Sequence, residues 1–397
     1  MQQIFLLSEY VSRNDNSTGY YWNDIIRMLA RNFGSLSVIC PKQDNENCFE
    51  ALGQVKFYFV RNEKFSNRKL LLRIFGQLLK AIRFCLYLLR YANKGDVVIS
   101  GTNPALFVLL MPILRKVTPF SWLLVVHDVF PENLIPAKIL SKNNISYLLL
   151  KKYSDWAYGS ANTIVVIGRD MAGLINEKIG SSSRIKLIQN WVRPSDIAVL
   201  PKEKALIIRD LSWQKQIVFQ FFGNMGRVQG IENILSAIER VKHPKASFLF
   251  IGNGVMTPVI KSFIKNNPRL SVAYSESPPI EDRERGLAAC DVAIVTLARG
   301  MFGLGVPSKA YFSLAADRPL LVVSDFGSEI GKVVEEDKVG WWCKPDDPSA
   351  LSSMIDHICS LDLTTYRGRP RRALVEKYSD DIALEKYNRA VSELLCG

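Results

Sequence analysis

Apolar runs of strand length alternate with helix-length stretches along nearly the whole chain. Runs at 36–40, 96–100, 122–127 and 163–167 are each followed by apolar residues at helical spacing, as are those at 217–222, 247–251, 291–296 and 320–323. The start, Met1-Gln2-Gln3-Ile4-Phe5-Leu6-Leu7-Ser8, reads as the first buried strand. It lacks the basic stretch and small-residue cleavage site of a secretory leader. Repeated strand–helix units of this kind predict an α/β protein with two doubly wound parallel sheets. The polar, Lys-rich stretch 194–215 separates the two series and reads as a linker. The expected division is a Rossmann-like domain over 1–195, a second over 196–378, and a terminal helix over 379–397 returning toward the first. At 397 residues the chain has the length for two cores.

In open parallel sheets, ligands lie beyond the carboxyl ends of the strands. Five loops therefore matter: Asn16-Ser17-Thr18-Gly19, His127-Asp128, Gly223-Asn224-Met225-Gly226-Arg227, Gly252-Asn253-Gly254, and Gly303-Leu304-Gly305-Val306-Pro307-Ser308-Lys309. The last says most. Pro at a helix start loses nothing, because its missing N–H would have had no partner there. The N–H groups of Val306, Ser308 and Lys309 would converge at the positive end of the next helix, beside an ammonium. That is a seat for a diphosphate. A plain tight turn is the alternative, but a cation at a helix N-terminus is misplaced unless an anion compensates it. Gly19 is either a turn glycine or a point of close backbone approach to a diphosphate. Gly252 and Asn253 either approach a nucleotide or make a strand-to-helix turn. His127 at a strand end is a structural residue or a catalytic one, and Asp128 caps the next turn or touches substrate. Arg227 and Arg299 are phosphate or acceptor contacts, or solvated charge.

Composition narrows the classes. Seven cysteines occur with no Cys-x-x-Cys pair, and only three histidines are present, which argues for reduced thiols and against a structural zinc. No apolar run approaches the ~20 residues of a membrane span. The basic charge is lopsided: residues 1–200 carry 25 Lys and Arg against 14 Asp and Glu, while 201–397 carry 26 against 24. Such asymmetry points to an anionic surface met by the first half. Within it, segment 68–94 has Leu71, Phe75, Leu78, Ile82, Leu86 and Leu89 at helical spacing, which reads as core. The opposite face gathers Lys69, Arg73, Lys80, Arg83, Arg90 and Lys94 with Phe84 and Tyr87. Aromatics within a basic face suit docking on anionic lipid. Nothing resembles a nucleic-acid reading module.

Taken together, the loops resemble the retaining glycosyltransferases of family 4, which have the GT-B fold. The branch that builds colanic acid, O-antigen and related bacterial polysaccharides is the nearest likeness. Ser8-Glu9-Tyr10 with Thr18-Gly19-Tyr20, His127-Asp128-Val129-Phe130-Pro131-Glu132, Val165-Val166-Ile167-Gly168 with Ile188-Gln189-Asn190-Trp191-Val192, Phe222-Gly223-Asn224-Met225-Gly226 with Gln229-Gly230-Ile231-Glu232, and Pro307-Ser308-Lys309 with Leu314-Ala315-Ala316 and Arg318-Pro319 carry it, in order. The resemblance implies two domains facing across a cleft, the first for acceptor and the second for donor. It implies His127 under the transferred sugar and Lys309 at the diphosphate, both catalytic. Gly19, Gly223, Asn224, Arg227, Gln229, Gly252, Asn253, Gly305, Val306, Pro307, Ser308 and Lys309 would bind the donor. Asp128, Asn190 and Arg299 would serve the acceptor or act secondarily. The donor is expected to be a UDP- or GDP-linked sugar, with no metal and no cofactor. The acceptor is expected to be lipid-linked or an oligosaccharide, at the inner face of a cell membrane that the protein, otherwise cytoplasmic, meets peripherally.

Departures from the family are specific. Two family glutamates, eight positions apart, are replaced by Leu304 and Phe312, and Asp317 replaces the usual Gly before Arg318-Pro319. Apolar residues at the first two positions leave sugar hydroxyls unpaired, which suits a deoxy or N-acetylated deoxy sugar. Rival readings are a nucleotide-sugar 2-epimerase and a non-catalytic nucleotide-sugar-binding partner in a synthase complex.

Overall fold

The computed structural model describes residues 2–13, 16–42, 55–61, 70–276 and 283–396. They form two compact units: Met1–Ile135 with Leu140–Gln189 and Asp381–Gly397, and Pro136–Ile139 with Asn190–Asp380.

Unit 1 is built on strands β1 (Ile4–Leu7), β2 (Leu36–Pro41), β3 (Val55–Val60), β4 (Val97–Gly101), β5 (Ser121–Val126), β6 (Thr163–Val166) and β7 (Ile185–Leu187). All pair in parallel, in the order β3-β2-β1-β4-β5-β6-β7. Helices α1 (Ser17–Phe33), α2 (Leu70–Tyr91), α3 (Ala105–Val117), α4 (Ile145–Gly159) and α5 (Arg169–Ile179) complete its strand–helix units. In unit 2 the strands are β8 (Ile217–Phe222), β9 (Ala246–Ile251), β10 (Val272–Ser275), β11 (Val292–Thr296), β12 (Leu320–Val323) and β13 (Gly340–Cys343). They run parallel in the order β10-β9-β8-β11-β12-β13. Helices α6 (Leu206–Asp210), α7 (Ile231–Ile238), α8 (Thr257–Asn266), α9 (Arg283–Ala288), α10 (Lys309–Ala315), α11 (Glu329–Asp337), α12 (Pro348–Ser360) and α13 (Arg369–Lys377) accompany them. Central strand β12 is buried throughout and β5 is buried from Trp122 onward, which explains their unbroken apolar runs. The last helix, α14 (Asp380–Cys396), packs within unit 1: Asn388 accepts from Asn32 of α1 (3.0 Å), and Glu393 pairs with Lys186 of β7 (2.8 Å).

Two local readings need correction. Stretch 194–215 is no free linker. Lys202 is buried and donates to Asp291 (2.5 Å) and the Gln216 carbonyl (2.7 Å), and Arg371 of α13 holds the carbonyls of Pro194 and Ile197. Lys202 is thus an anchor, while Lys204 and Lys215 are exposed. The second correction inverts α2. Phe75, Leu78, Ile82, Leu86 and Leu89, the stripe read as core, are exposed. Ala81, Phe84 and Leu88 are buried instead, with Phe84 edge-on to Phe107 of α3 at 5.6 Å. Lys80, assigned to a basic outer face, is buried and paired with Glu9. The helix is apolar on both sides, so periodicity alone named the wrong face. Lys69 and the side chains of Leu71 and Arg73 lie outside the described residues.

The Asp at position 317 has a structural reason. Its φ is +58°, where the family's glycine is at ease and Asp is tolerated better than most residues. The carboxylate accepts from the N–H groups of Gly368 (2.8 Å) and Arg371 (3.2 Å), which caps the start of α13. Replacing Asp317 by Ala removes the cap and strains the backbone, at an expected cost of about 2–3 kcal/mol. Glycine loses only the cap, about 1 kcal/mol. Urea unfolding of both variants checks this, and equal costs would show that backbone strain plays no part.

Candidate functional site

Unit 2 gathers its loops at the carboxyl ends of β8, β9 and β11. The turn after β8 and the turn after β9 touch backbone to backbone: Gly223 N–H donates to Ile251 O, Met225 N–H to Asn253 O, and Met256 N–H to Met225 O. A Cβ on Gly252 would sit 2.0 Å from the Gly223 carbonyl oxygen, and one on Gly254 2.4 Å from that of Met225. These glycines are therefore required by the packing of two loops, whatever else they do. Asn253 is held by Tyr274, whose hydroxyl donates to Asn253 Oδ1 at 2.8 Å.

Lys309 opens α10, and its ammonium reaches back to β8. It donates to Gln229 Oε1 at 2.8 Å and lies over the Phe221 ring, 3.6 Å from its centroid. Burial among these groups lowers its pKa from 10.5 to about 7. No carboxylate pairs with it among the described residues. The N–H groups of Val306, Ser308 and Lys309 make no intramolecular hydrogen bond among the described residues, while the Val306 carbonyl accepts from Asn190 Nδ2 at 3.3 Å. So a buried cation and three open donors share one turn, with Gly223 alongside: a Cβ there would lie 4.0 Å from Lys309 Cε. Asn224 and Arg227 are exposed on the neighbouring loop. Arg299 is exposed, with Nε 3.4 Å from the carboxylate of Asp346. Phe221 went unread in the sequence because a strand phenylalanine carries no chemical signal of its own.

In unit 1, His127 follows β5. Its N–H and that of Asp128 both point to Thr102 Oγ1, at 3.3 and 3.4 Å. The ring stacks on Tyr21 (6.3 Å, 14°) and meets Trp22 edge-on (6.1 Å, 77°), both on α1. Burial lowers its pKa to about 4, and Nε2 is buried without a hydrogen-bond partner among the described residues. The imidazole is neutral at pH 7 and has one polar atom to spare. The loop that carries it is clamped from behind. Ser154 Oγ donates to Phe130 O (2.7 Å), Tyr158 Oη accepts from Phe130 N (3.4 Å), and Glu132 pairs with Lys178 (2.9 Å) and Lys151 (3.3 Å). Asp155 joins the same buried cluster through Lys178 and Lys151. These clamping residues lie 20–50 positions downstream, beyond the reach of local pattern. The N–H of Gly19 donates to Asn16 Oδ1 at 2.9 Å, the cap of α1. Asp128 is exposed.

Comparison with known proteins agrees with this architecture. Residues 216–360, the heart of unit 2, match the family model for glycosyl transferases group 1. Over 398 residues the chain is 47% identical to the probable glycosyltransferase WbjE of Pseudomonas aeruginosa, covering 100% of this chain and 99% of that one. The chain belongs to the group 1 glycosyl transferases. Solved structures show the same fold at low identity. Sucrose-phosphate synthase from Thermosynechococcus elongatus superposes with a TM-score of 0.80 at 14% identity, over 100% of both chains. Anabaena HepE in complex with UDP-glucose gives 0.72 at 13%, over 99% of this chain and 100% of that one. This glycosyltransferase thus has the GT-B fold. Its Leu304 and Phe312 are buried, with the Arg283 guanidinium over the Phe312 ring at 5.4 Å. Among its described residues, no cluster of three or more His, Cys, Asp or Glu could hold a metal ion, and no helix is long and apolar enough to cross a membrane.

Proposed function

We propose that this glycosyltransferase moves a sugar from a UDP- or GDP-linked donor to a lipid-linked or saccharide acceptor in cell-surface polysaccharide synthesis, with retention of configuration and without a metal. The turn at Lys309 carries the reading: a buried ammonium and open N–H groups at one place suit the two negative phosphates of a nucleotide diphosphate. The complex of HepE with UDP-glucose supports a donor of this kind. Residues 196–378 would hold the donor, with Gly223, Asn224, Arg227, Gln229 and 305–309 around it; residues 1–195 would serve the acceptor.

The departing diphosphate gathers negative charge as the glycosidic bond breaks. Lys309 and the N–H groups beside it would stabilise that charge, the role that a divalent ion fills elsewhere. The sugar left behind becomes oxocarbenium-like and positive. A neutral His127 tolerates such a neighbour, whereas an imidazolium would repel it. We assign no carboxylate the role of covalent nucleophile; departure and attack on one face would carry retention in place of a double displacement. Leu304 and Phe312 would favour a deoxy or N-acetylated deoxy sugar.

The test is release of nucleoside diphosphate from a panel of hexose and deoxyhexose donors, in EDTA and in Mg²⁺. Turnover unchanged by EDTA is the expected result, with deoxy sugars preferred. A requirement for Mg²⁺ would overturn the metal-free mechanism. Efficient turnover of glucose or mannose donors would overturn the sugar preference.

A further inference from the structure

Unit 1 leaves an apolar surface spread over three packed helices. On α2 the exposed residues are Ile74, Phe75, Leu78, Ile82, Leu86 and Leu89. The layer continues on α3 with Ile113 and Val117, then on α4 with Ile145, Leu148, Leu149 and Trp156. Exposure is deep at its ridge: Leu86 58%, Val117 68%, Leu149 65% and Ile145 72%. The helices are contiguous, since Phe84 of α2 meets Phe107 of α3, Tyr153 of α4 donates to Leu109 O of α3 (3.0 Å), and Lys116 of α3 lies over Trp156 of α4 (5.8 Å). Contiguous apolar area on this scale marks an interaction surface.

Charge identifies the partner. Of the Lys and Arg on helices α2, α3 and α4, Lys80 is buried against Glu9, Arg115 holds the Phe120 carbonyl and Lys151 pairs with Glu132 and Asp155, while Arg90, Lys116 and Lys152 are exposed; the one acid is Asp155. That acid is turned away into the ion cluster with Lys151 and Lys178. A surface of large apolar side chains bordered by cations fits one chemistry closely: a bilayer with anionic headgroups. Leu, Ile, Phe and Trp enter the headgroup–acyl boundary, while Lys116, Lys152 and Arg90 meet the phosphates. We propose that the outer face of α2–α4 docks unit 1 on an anionic lipid leaflet, by insertion of apolar side chains as well as by charge. The inference stands on this surface alone and is independent of how donor sugar is handled.

Cosedimentation of the whole chain with phosphatidylglycerol or phosphatidylcholine vesicles tests it. Wild type is expected to bind phosphatidylglycerol, and more weakly phosphatidylcholine. Changing Ile82, Leu86 and Leu149 together to Asp should lower partitioning by at least about tenfold, with the melting temperature and nucleotide binding unchanged. Changing Lys116 and Lys152 to Glu should remove most of the preference for anionic lipid, leaving the residual binding insensitive to salt. Three results would overturn the proposal. They are no binding by wild type, undiminished binding by the Asp variant, and a lipid-free dimer of the wild type that the Asp variant abolishes, which would assign the face to a second copy.

Discussion

Lys309→Ala is expected to weaken nucleotide-sugar binding by about 10- to 150-fold, the equivalent of about 1.5–3 kcal/mol for a charge-assisted contact to phosphate. Stability should fall little, because among the described residues the ammonium pairs with an amide and a ring and is itself disfavoured by burial. The wild type should also show a pH signature that the variant lacks. Free Lys309 loses its proton at about pH 7, whereas a bound diphosphate favours the ammonium and raises that pKa. Binding above pH 7 must therefore take up a proton. Affinity should be flat below that point and fall by up to about tenfold per pH unit above it. Calorimetry in buffers of different ionisation enthalpy reads the proton directly. Donor affinity within twofold of wild type in the Ala variant would remove Lys309 from the site.

His127→Ala should separate chemistry from capture. Nucleoside diphosphate affinity is expected to stay within about threefold of wild type, while donor turnover falls by about a hundredfold or more, as when a preorganised polar group is deleted. The imidazole rests on Tyr21 and Trp22, so the truncation also opens a cavity beneath them and costs some stability. His127→Asn restores part of the volume and a polar atom. Turnover still lost in a stably folded Asn variant would support a role for the ring. Normal turnover in either variant would make His127 a packing residue.

How much of this was legible in the sequence can be argued strand by strand. Each strand anticipated from an apolar run formed, and the four that went unread are β3, β7, β10 and β13. These are the two edges of each sheet. Edge strands are half-buried, so Val-Lys-Phe-Tyr-Phe-Val or Ile-Lys-Leu need not be uniformly apolar, and the signal thins. Helix α2 failed for a different reason. Periodicity shows that a helix has faces, but not which apolar face has a neighbour.

In the loops, residue types were more informative than spacing. Lys309 after Pro-Ser was legible because a cation is out of place at a helix start, and the structure leaves it without a carboxylate partner among the described residues. Glycines were less informative. Gly252 and Gly254 have a sufficient cause in loop packing, and the N–H of Gly19 donates to the cap of α1. Phe221, Thr102 and the Lys178–Glu132 cluster shape the two regions from sites distant in sequence, which no local pattern could expose.

Amide hydrogen exchange on the whole chain, with and without a saturating nucleotide sugar in EDTA, tests the central claim most directly. The account predicts slowed exchange in peptides spanning 223–230 and 305–310, and loss of that protection in Lys309→Ala. Saturation by the donor with exchange unchanged in both segments would contradict it.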